Sequence, residues 1–287
     1  MSGASPLLNP SLYEAVLRAA VKLMETEPPP TRMLHVDDVL YRASPRQYVD
    51  VIELSGNKYL TRSSADNAIK VRDFDVDSNR FSGHSPLPIY SNSGSSLLPI
   101  YSNGGCYFFT NQGSGLAELM HYAEKAGFRM DYKTGRVHII NMMRHRDVFK
   151  VRVTKPLMVA DISLYGPYAP YARGFLQKLG SHNLLNSPKG DTSVNKKFPG
   201  VVLEDEVLNQ SGDYSVTRAL GHAFAQFPPY CVGVIAQTAR ETEREGESGE
   251  NVCLFGSPKR AIEGIEVVSV YRFYPTKNDV EEYPVQP

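Results

Sequence analysis

The distribution of apolar and polar residues along this chain predicts more strands than helices. One amphipathic helix is predicted near the start, where Asn9 is a suitable N-cap and Pro10 suits the first helical position. Its apolar face consists of five residues at helical spacing: Tyr13, Val16, Leu17, Ala20 and Met24. The prolines at 28–30 end this helix, and we interpret residues 1–30 as an accessory arm that docks on the body or on a partner.

Short runs rich in Val, Ile, Leu and Tyr predict strands through the rest of the chain. These runs are residues 33–43, 47–54, 137–143, 147–153, 157–162, 231–237, 251–255 and 265–274. Further helices are predicted at 115–126, near 169–179 and over 216–227. Because strands and helices do not alternate regularly, the pattern predicts an α+β fold with mixed or antiparallel sheets.

Two polar regions interrupt this pattern inside the predicted main domain, residues 31–287. The first, at about 82–104, is rich in Ser, Gly, Asn and Pro, and its segment Leu-Pro-Ile-Tyr-Ser-Asn occurs twice, at 87–92 and 98–103. The second, at 165–212, is also loop-rich. Two copies of a segment are too few for a solenoid. We interpret both regions as loop insertions, and the first is either functional or disordered.

Composition narrows the range of partners. The 287 residues include 31 Lys and Arg and 31 Asp and Glu, so no strong non-specific attraction to nucleic acid or to an anionic membrane is expected. The sequence shows no Sec-type signal and no apolar run long enough to span a membrane. We therefore expect a cytoplasmic site of action without nucleic-acid or membrane partners.

Cysteine and histidine usage argues against a disulfide framework or a metal site. Cys106, Cys231 and Cys253 are far apart and lie in apolar runs, which is typical of core residues in a reducing compartment. The histidines show no paired metal spacing. The sequence also lacks a Gly-x-Gly-x-x-Gly loop, a Walker-type loop and a Gly-x-Ser-x-Gly elbow, which disfavours Rossmann proteins, P-loop proteins and serine hydrolases of that type.

Four residues are candidates for chemistry, and each also has an ordinary structural interpretation. Glu118 lies off the buried face of its predicted helix, after a glycine-containing loop that leaves room for a ligand, but most helix glutamates are simply solvated. Arg80 lies in a polar turn and Arg42 follows an apolar strand. A guanidinium grips two phosphate oxygens at once, whereas most loop arginines are surface charges. Tyr107 either packs in the core or stacks on a flat heterocycle.

The order of short motifs along the chain resembles the RES family. The motifs are Leu40-Tyr41-Arg42, Asn79-Arg80-Phe81, Tyr107 in an apolar strand, Leu116-Ala117-Glu118 in a helix, Thr238-Ala239-Arg240 after a glycine-containing strand, and Asn251 to Phe255. Together they cover roughly residues 38–256. Asn79 replaces a glycine of the family pattern, Thr238 replaces a serine, and the loop before Tyr107 is long. These departures indicate a divergent member.

The resemblance implies a fold similar to ADP-ribosyltransferases and cleavage of the nicotinamide–ribose bond of NAD, which depletes the cell of NAD. By resemblance, the catalytic residues are Glu118, Arg80 and Tyr107, and the substrate-binding residues are Tyr41, Arg42, Thr238, Arg240 and Asn251. Glu118 would stabilise the oxocarbenium-like ribose. Arg80 or Arg42 would grip the pyrophosphate, and Tyr107 would pack on nicotinamide or ribose. NAD is the substrate, and neither a metal nor a further cofactor is implied.

The resemblance also implies partners, and two alternatives stay open. A toxin or effector of this kind is expected to be blocked by a cognate antitoxin or immunity protein, and to reach a target cell through a secretion system that needs no signal. One alternative is a mono-ADP-ribosyltransferase that modifies a protein, since the triplet at 204–206 matches a Glu-x-Glu pattern found in such enzymes. The other is a catalytically decayed module that binds NAD or a partner, which the changes at Asn79 and Thr238 favour.

Overall fold

The computed structural model describes most of the chain. The described residues are 8–71, 80–84, 102–111, 146–185, 193–194, 198–208, 213–226, 231–237, 249–257, 259–274 and 279–287. The helix predicted at 115–126 and the strand predicted at 137–143 lie outside these residues, as does most of the first insertion.

A mixed sheet of ten strands forms the centre of the described fold. In chain order the strands are β1 (Thr31–Leu34), β2 (Val39–Pro45), β3 (Val51–Leu54), β4 (Asn57–Leu60), β5 (Gly83–His84), β6 (Ser102–Phe109), β7 (Arg146–Val153), β8 (Leu157–Asp161), β9 (Ser193–Val194), β10 (Val201–Val202), β11 (Gly233–Gln237), β12 (Glu250–Gly256), β13 (Ile265–Tyr274) and β14 (Asp279–Pro284). The order in the sheet is β1-β8-β11-β12-β6-β2-β7-β13-β14, with β5 paired to β6. Among these pairs β8 and β11 run parallel and the others antiparallel. Strands β3 and β4 form a separate two-stranded sheet, as do β9 and β10.

Helices cover this sheet on both faces. The described helices are α1 (Pro10–Met24), α2 (Arg62–Ala68), α3 (Ala169–Gly180), α4 (Leu203–Val207) and α5 (Ser215–Ala225). Helices α1, α3 and α5 pack with Val234 and Cys253 on one face, which we name the helical face. Helix α2 packs with Ile235 and Val252 on the other face, which we name the reverse face. Neighbouring residues such as Val234 and Ile235 lie on different faces because successive strand residues point to opposite sides of a sheet. The predicted α+β class with a mixed sheet is therefore confirmed.

Most predicted strands in the described residues are observed, but the first is divided. The predicted runs at 147–153, 157–162, 231–237, 251–255 and 265–274 correspond to β7, β8, β11, β12 and β13. The prediction of one strand at 33–43 is wrong, because a turn at Asp37 separates β1 from β2. Asp37 has φ of 73°, and the Asp38 carboxylate accepts a hydrogen bond from the His35 backbone N–H at 2.7 Å. Aspartate tolerates a positive φ, and its carboxylate readily accepts hydrogen bonds from nearby backbone N–H groups, so these two residues end the strand.

The N-terminal helix packs inside the main core. The Asn9 side chain caps α1 as predicted, since its oxygen accepts a hydrogen bond from Leu12 N at 3.1 Å. The Asn9 backbone N–H donates to the Ser215 hydroxyl of α5 at 2.6 Å, and the Tyr13 hydroxyl forms a hydrogen bond with His222 Nδ1 of the same helix. The apolar face of α1 therefore docks on the body of the protein. The division into an arm and a main domain stays a prediction.

Candidate functional site

Three segments that are distant in sequence meet at one end of the helical face. The Phe81 backbone N–H donates a hydrogen bond to the Tyr107 hydroxyl of β6 at 2.6 Å. The neighbouring Arg80 donates from Nη1 to the carbonyl of Gln237, the last residue of β11, at 3.1 Å. Arg80 is only 7 % exposed, and its guanidinium carbon lies 5.0 Å from the centroid of the Phe81 ring. The segment that carries Arg80 therefore bridges β6 and the end of β11.

Strand register adds Asn251 to this group. Asn251 of β12 pairs with Phe109 of β6, and two positions further along, Cys253 pairs with Tyr107. Directly paired residues of an antiparallel ladder project their side chains on the same side, so Asn251 and Tyr107 both lie on the helical face. The structure thus gathers three predicted site residues, Arg80, Tyr107 and Asn251, at one end of that face.

Tyr41 and Arg42 lie on opposite faces of β2. Tyr41 pairs with Phe109 and so shares the helical face with the predicted site. Arg42 pairs with Phe149, and its guanidinium carbon lies 5.9 Å from the centroid of the Phe108 ring. Both rings belong to the core of the reverse face. The structure therefore brings Tyr41 to the same face as the predicted site and places Arg42 on the other side of the sheet.

Glu118, Thr238 and Arg240 lie outside the described residues, and their roles stay predictions. The chain positions that lead to them are described. Gln237 is the residue before Thr238, and its carbonyl accepts the hydrogen bond from Arg80. Strand β6 runs in the same direction as β11, so the segment that contains Glu118 begins at the same end of the sheet. Strands β6 and β11 therefore end at the same edge of the sheet, and Arg80 bonds the last residue of β11.

The Tyr107 phenol is neutral in this setting. Its ring is partly exposed, but its oxygen is enclosed, and burial raises the pKa of the phenol well above the ordinary value of a tyrosine. The neighbouring Cys253 thiol raises that pKa further, while the hydrogen bond from Phe81 acts in the opposite direction. A neutral phenol neither releases nor takes a proton near pH 7. The oxygen of Tyr107 is directed at the protein backbone.

Cys253 and Cys231 are expected to react slowly with alkylating reagents in the folded protein. Burial raises the pKa of the Cys253 thiol to about 12 and that of the Cys231 thiol to about 11, so both stay protonated at neutral pH. All three cysteines are free and buried, as the sequence predicted. We expect iodoacetamide labelling of both thiols, followed by mass spectrometry, to be at least about tenfold slower in native protein than in urea. Equal rates in the two conditions would contradict their enclosure.

A charged network that sequence analysis did not predict lies at the same end of the sheet, on the reverse face. Arg32 of β1 donates from Nε to Asp161 of β8 at 2.7 Å, and from Nη1 and Nη2 to the two carboxylate oxygens of Glu250 at 3.0 and 2.6 Å. Its guanidinium lies 4.9 Å from the centroid of the Tyr168 ring. Burial acts to lower the pKa of Arg32, but the bonds to Glu250 and Asp161 outweigh it and raise that pKa. Since Glu250 precedes Asn251, this network holds the start of β12.

Weak signals for these unpredicted residues exist in the sequence. Asp161 and Gln237 are polar residues within predicted apolar strands. Gln237 is only 2 % exposed, and its amide nitrogen donates to the Gly249 carbonyl at 2.9 Å. Its side-chain oxygen has no hydrogen-bond partner within the described part of the chain. Gln237, a buried polar residue at the end of a strand, was therefore a sequence signal for this edge of the sheet, although the local pattern did not identify its hydrogen-bond partners.

Comparison with known proteins identifies no relative of this chain. The chain matches no protein-family model, no curated protein sequence and no solved structure. Within the residues that the structure describes, no group of three or more His, Cys, Asp and Glu side chains is arranged to hold a metal ion. No described helix is both long enough and apolar enough to cross a membrane.

Proposed function

We propose that this protein is a toxin or effector enzyme that cleaves the nicotinamide–ribose bond of NAD, with a RES-like version of the ADP-ribosyltransferase fold. The observation that carries the proposal is the meeting of Arg80, Tyr107 and Asn251, which belong to three separate motifs. The hydrogen bond between Phe81 and Tyr107, together with the register of β6 and β12, brings them to one face. This shared location is the support for interpreting the three motifs as parts of one site.

The proposed reaction needs a carboxylate to stabilise positive charge and a water molecule as acceptor. The bond between ribose and nicotinamide breaks with both electrons leaving on nicotinamide, which departs as a neutral molecule. In the proposal, the Glu118 carboxylate stabilises the oxocarbenium-like ribose that remains. Water then adds to the ribose carbon and loses a proton, which yields ADP-ribose.

Arg80 is proposed to bind the pyrophosphate of NAD. Its bond from Nη1 to the Gln237 carbonyl fixes the guanidinium at the end of β11, directly before Thr238. A planar guanidinium held in this way matches the geometry of phosphate oxygens better than a mobile lysine does. In the proposal Thr238 and Asn251 form hydrogen bonds with the substrate, and Tyr41 lines the same face.

The proposed site of action is the cytoplasm of a target cell. Free, buried thiols and the absence of a disulfide among the described cysteines suit a reducing compartment. NAD is abundant in the cytoplasm, and an enzyme that destroys NAD would harm the cell that produces the enzyme. We therefore propose that a cognate antitoxin or immunity protein covers the predicted site, where β6 and β11 end and β12 begins.

Glu118→Gln is expected to slow NAD cleavage by at least about a hundredfold, because the amide keeps the shape of the carboxylate without its charge. The measurement is the release of nicotinamide and ADP-ribose from NAD by the purified full-length chain, followed by chromatography. The matched control is Glu263→Gln, since that side chain is 89 % exposed and pairs only with a surface lysine among the described residues. The control variant should keep the wild-type rate.

The products distinguish the proposed hydrolase from the two alternatives. Free ADP-ribose supports the hydrolase, whereas transfer of adenine-labelled NAD to a protein supports a mono-ADP-ribosyltransferase. Binding of NAD without either product supports a decayed module. A Glu118→Gln variant that cleaves NAD at the wild-type rate would remove Glu118 from the mechanism.

A further inference from the structure

We infer that Tyr107 is a positioning residue: together with Gly105 and Gly221 it clamps residues 80–82 and so holds the Arg80 guanidinium at the end of β11. We name these three residues the 80–82 clamp. The clamp itself stands on packing and hydrogen bonds alone. Its consequence for NAD binding rests on the proposed function.

Helix α5 contacts the segment at a position where glycine alone fits. A Cβ on Gly221 would lie 2.0 Å from the carbonyl oxygen of Phe81 and 2.8 Å from its Cα. These are backbone atoms, so they cannot rotate out of the way as a flexible side chain would. Glycine inside a helix is destabilising relative to alanine. The close approach of Phe81 supplies the reason for a glycine at this point of α5.

Strand β6 contacts the same segment from the opposite side. A Cβ on Gly105 would lie 2.5 Å from the Ser82 hydroxyl oxygen and 2.6 Å from the Cys253 sulfur. Two positions along the strand, and therefore on the same face, the Tyr107 hydroxyl accepts the hydrogen bond from Phe81 N. Phe81 and Ser82 are almost completely buried as a result. The segment is thus enclosed between a strand and a helix.

The clamp decides where the Arg80 guanidinium lies. Because Phe81 can move neither towards α5 nor towards β6, the main chain at Arg80 is fixed, and Nη1 reaches the Gln237 carbonyl. A free arginine loses rotamer entropy when it is immobilised. An arginine that is already fixed binds an anion without most of that loss. The Tyr107 hydroxyl therefore acts on a ligand through Arg80.

The first test is hydrogen exchange in the Tyr107→Phe variant, which removes one oxygen and keeps the ring. We expect the Phe81 amide to exchange on the order of tenfold faster than in the wild type, with little change elsewhere in β6. The matched control is Tyr171→Phe, which removes a hydroxyl from a tyrosine of α3 that is 68 % exposed, and it should leave Phe81 unchanged. Unchanged exchange at Phe81 in Tyr107→Phe would overturn the inference, whether or not the protein acts on NAD.

The second test asks whether Tyr107 acts through Arg80. In Tyr107→Phe we expect the KM for NAD to rise on the order of tenfold with kcat nearly unchanged, because ground state and transition state lose the same contact. In an Arg80→Gln background, the same change should alter KM by less than about twofold. Independent, multiplying effects of the two substitutions would overturn the inference. Wild-type protein that does not turn over NAD would refute the proposed function and leave the exchange experiment to decide the clamp.

Discussion

Replacing Asp147 with alanine is expected to lower the free energy of unfolding by about 3–5 kcal/mol. The Asp147 side chain lies on β7, is fully buried, and accepts hydrogen bonds from two arginines. Arg46 donates from Nε at 2.9 Å, and Arg272 donates from Nε and Nη2 at 2.9 and 2.6 Å. One carboxylate therefore joins β7 to β13 and to the turn that follows β2.

The loss is large because removal of the carboxylate leaves two cations in a poorly solvated place. The side chains of Arg46 and Arg272 are 25 % and 15 % exposed, so water replaces the lost partner only in part. Arg272 keeps its bond to the Val49 carbonyl at 3.0 Å, but a neutral acceptor does not balance the charge. Truncating one member of a buried ion group costs more than the group itself contributes to stability, because the remaining charges stay buried.

Urea unfolding followed by circular dichroism measures this change. The matched control is Glu263→Ala, which removes the carboxylate of an exposed ion pair with Lys155 and is expected to change stability by no more than about 0.5 kcal/mol. If Asp147→Ala loses no more than the control, the two arginines reach solvent and the argument from burial is refuted.

Arg32→Met is expected to lower the free energy of unfolding by about 3 kcal/mol, because it leaves the fully buried Asp161 carboxylate without its cation. Methionine occupies much of the arginine volume but donates no hydrogen bonds. The Ser163 backbone N–H continues to bond Asp161 at 2.9 Å. The side chains of Arg32 and Glu250 are 21 % and 18 % exposed, so water compensates part of the loss at Glu250. These two effects place the expected value at the low end of the range for buried pairs.

Arg32→Lys separates the effect of charge from that of geometry. Lysine restores the positive charge, but it does not supply the planar fork that reaches both oxygens of Glu250. In the same urea measurement we expect it to recover about half of the loss seen in Arg32→Met. Equal stability of the two variants would refute the charge argument and assign the stabilisation to the fork.

The local pattern of residues was sufficient for most of the described helices and strands. The capping of α1 is an example, because Asn9 and its partner Leu12 are three positions apart. The strand predicted at 33–43 failed for an equally local reason. Asp37 and Asp38 form a turn inside a run that is apolar on both sides, and the apolar residues outweighed this turn signal in the prediction.

The candidate site was predicted from the order of motifs, which says which residues belong together but not how they touch. Arg80, Tyr107 and Asn251 do meet on one face. The motifs did not show that the Tyr107 hydroxyl serves the Phe81 backbone or that Arg42 lies on the reverse face. Both facts depend on strand register, and a shift of one residue moves a side chain to the other side of the sheet.

Residues within a few positions of each other thus determined helices α1, α3 and α5, most of the longer strands, the burial of the cysteines as free thiols and the set of candidate motifs. Tertiary structure alone decided the strand order, the ion groups around Asp147 and Arg32, and the 80–82 clamp. Each of these joins residues far apart in the chain, as Arg32 and Glu250, 218 positions apart, illustrate. A local pattern shows that a residue is buried or charged, but folding selects which of many distant partners it meets.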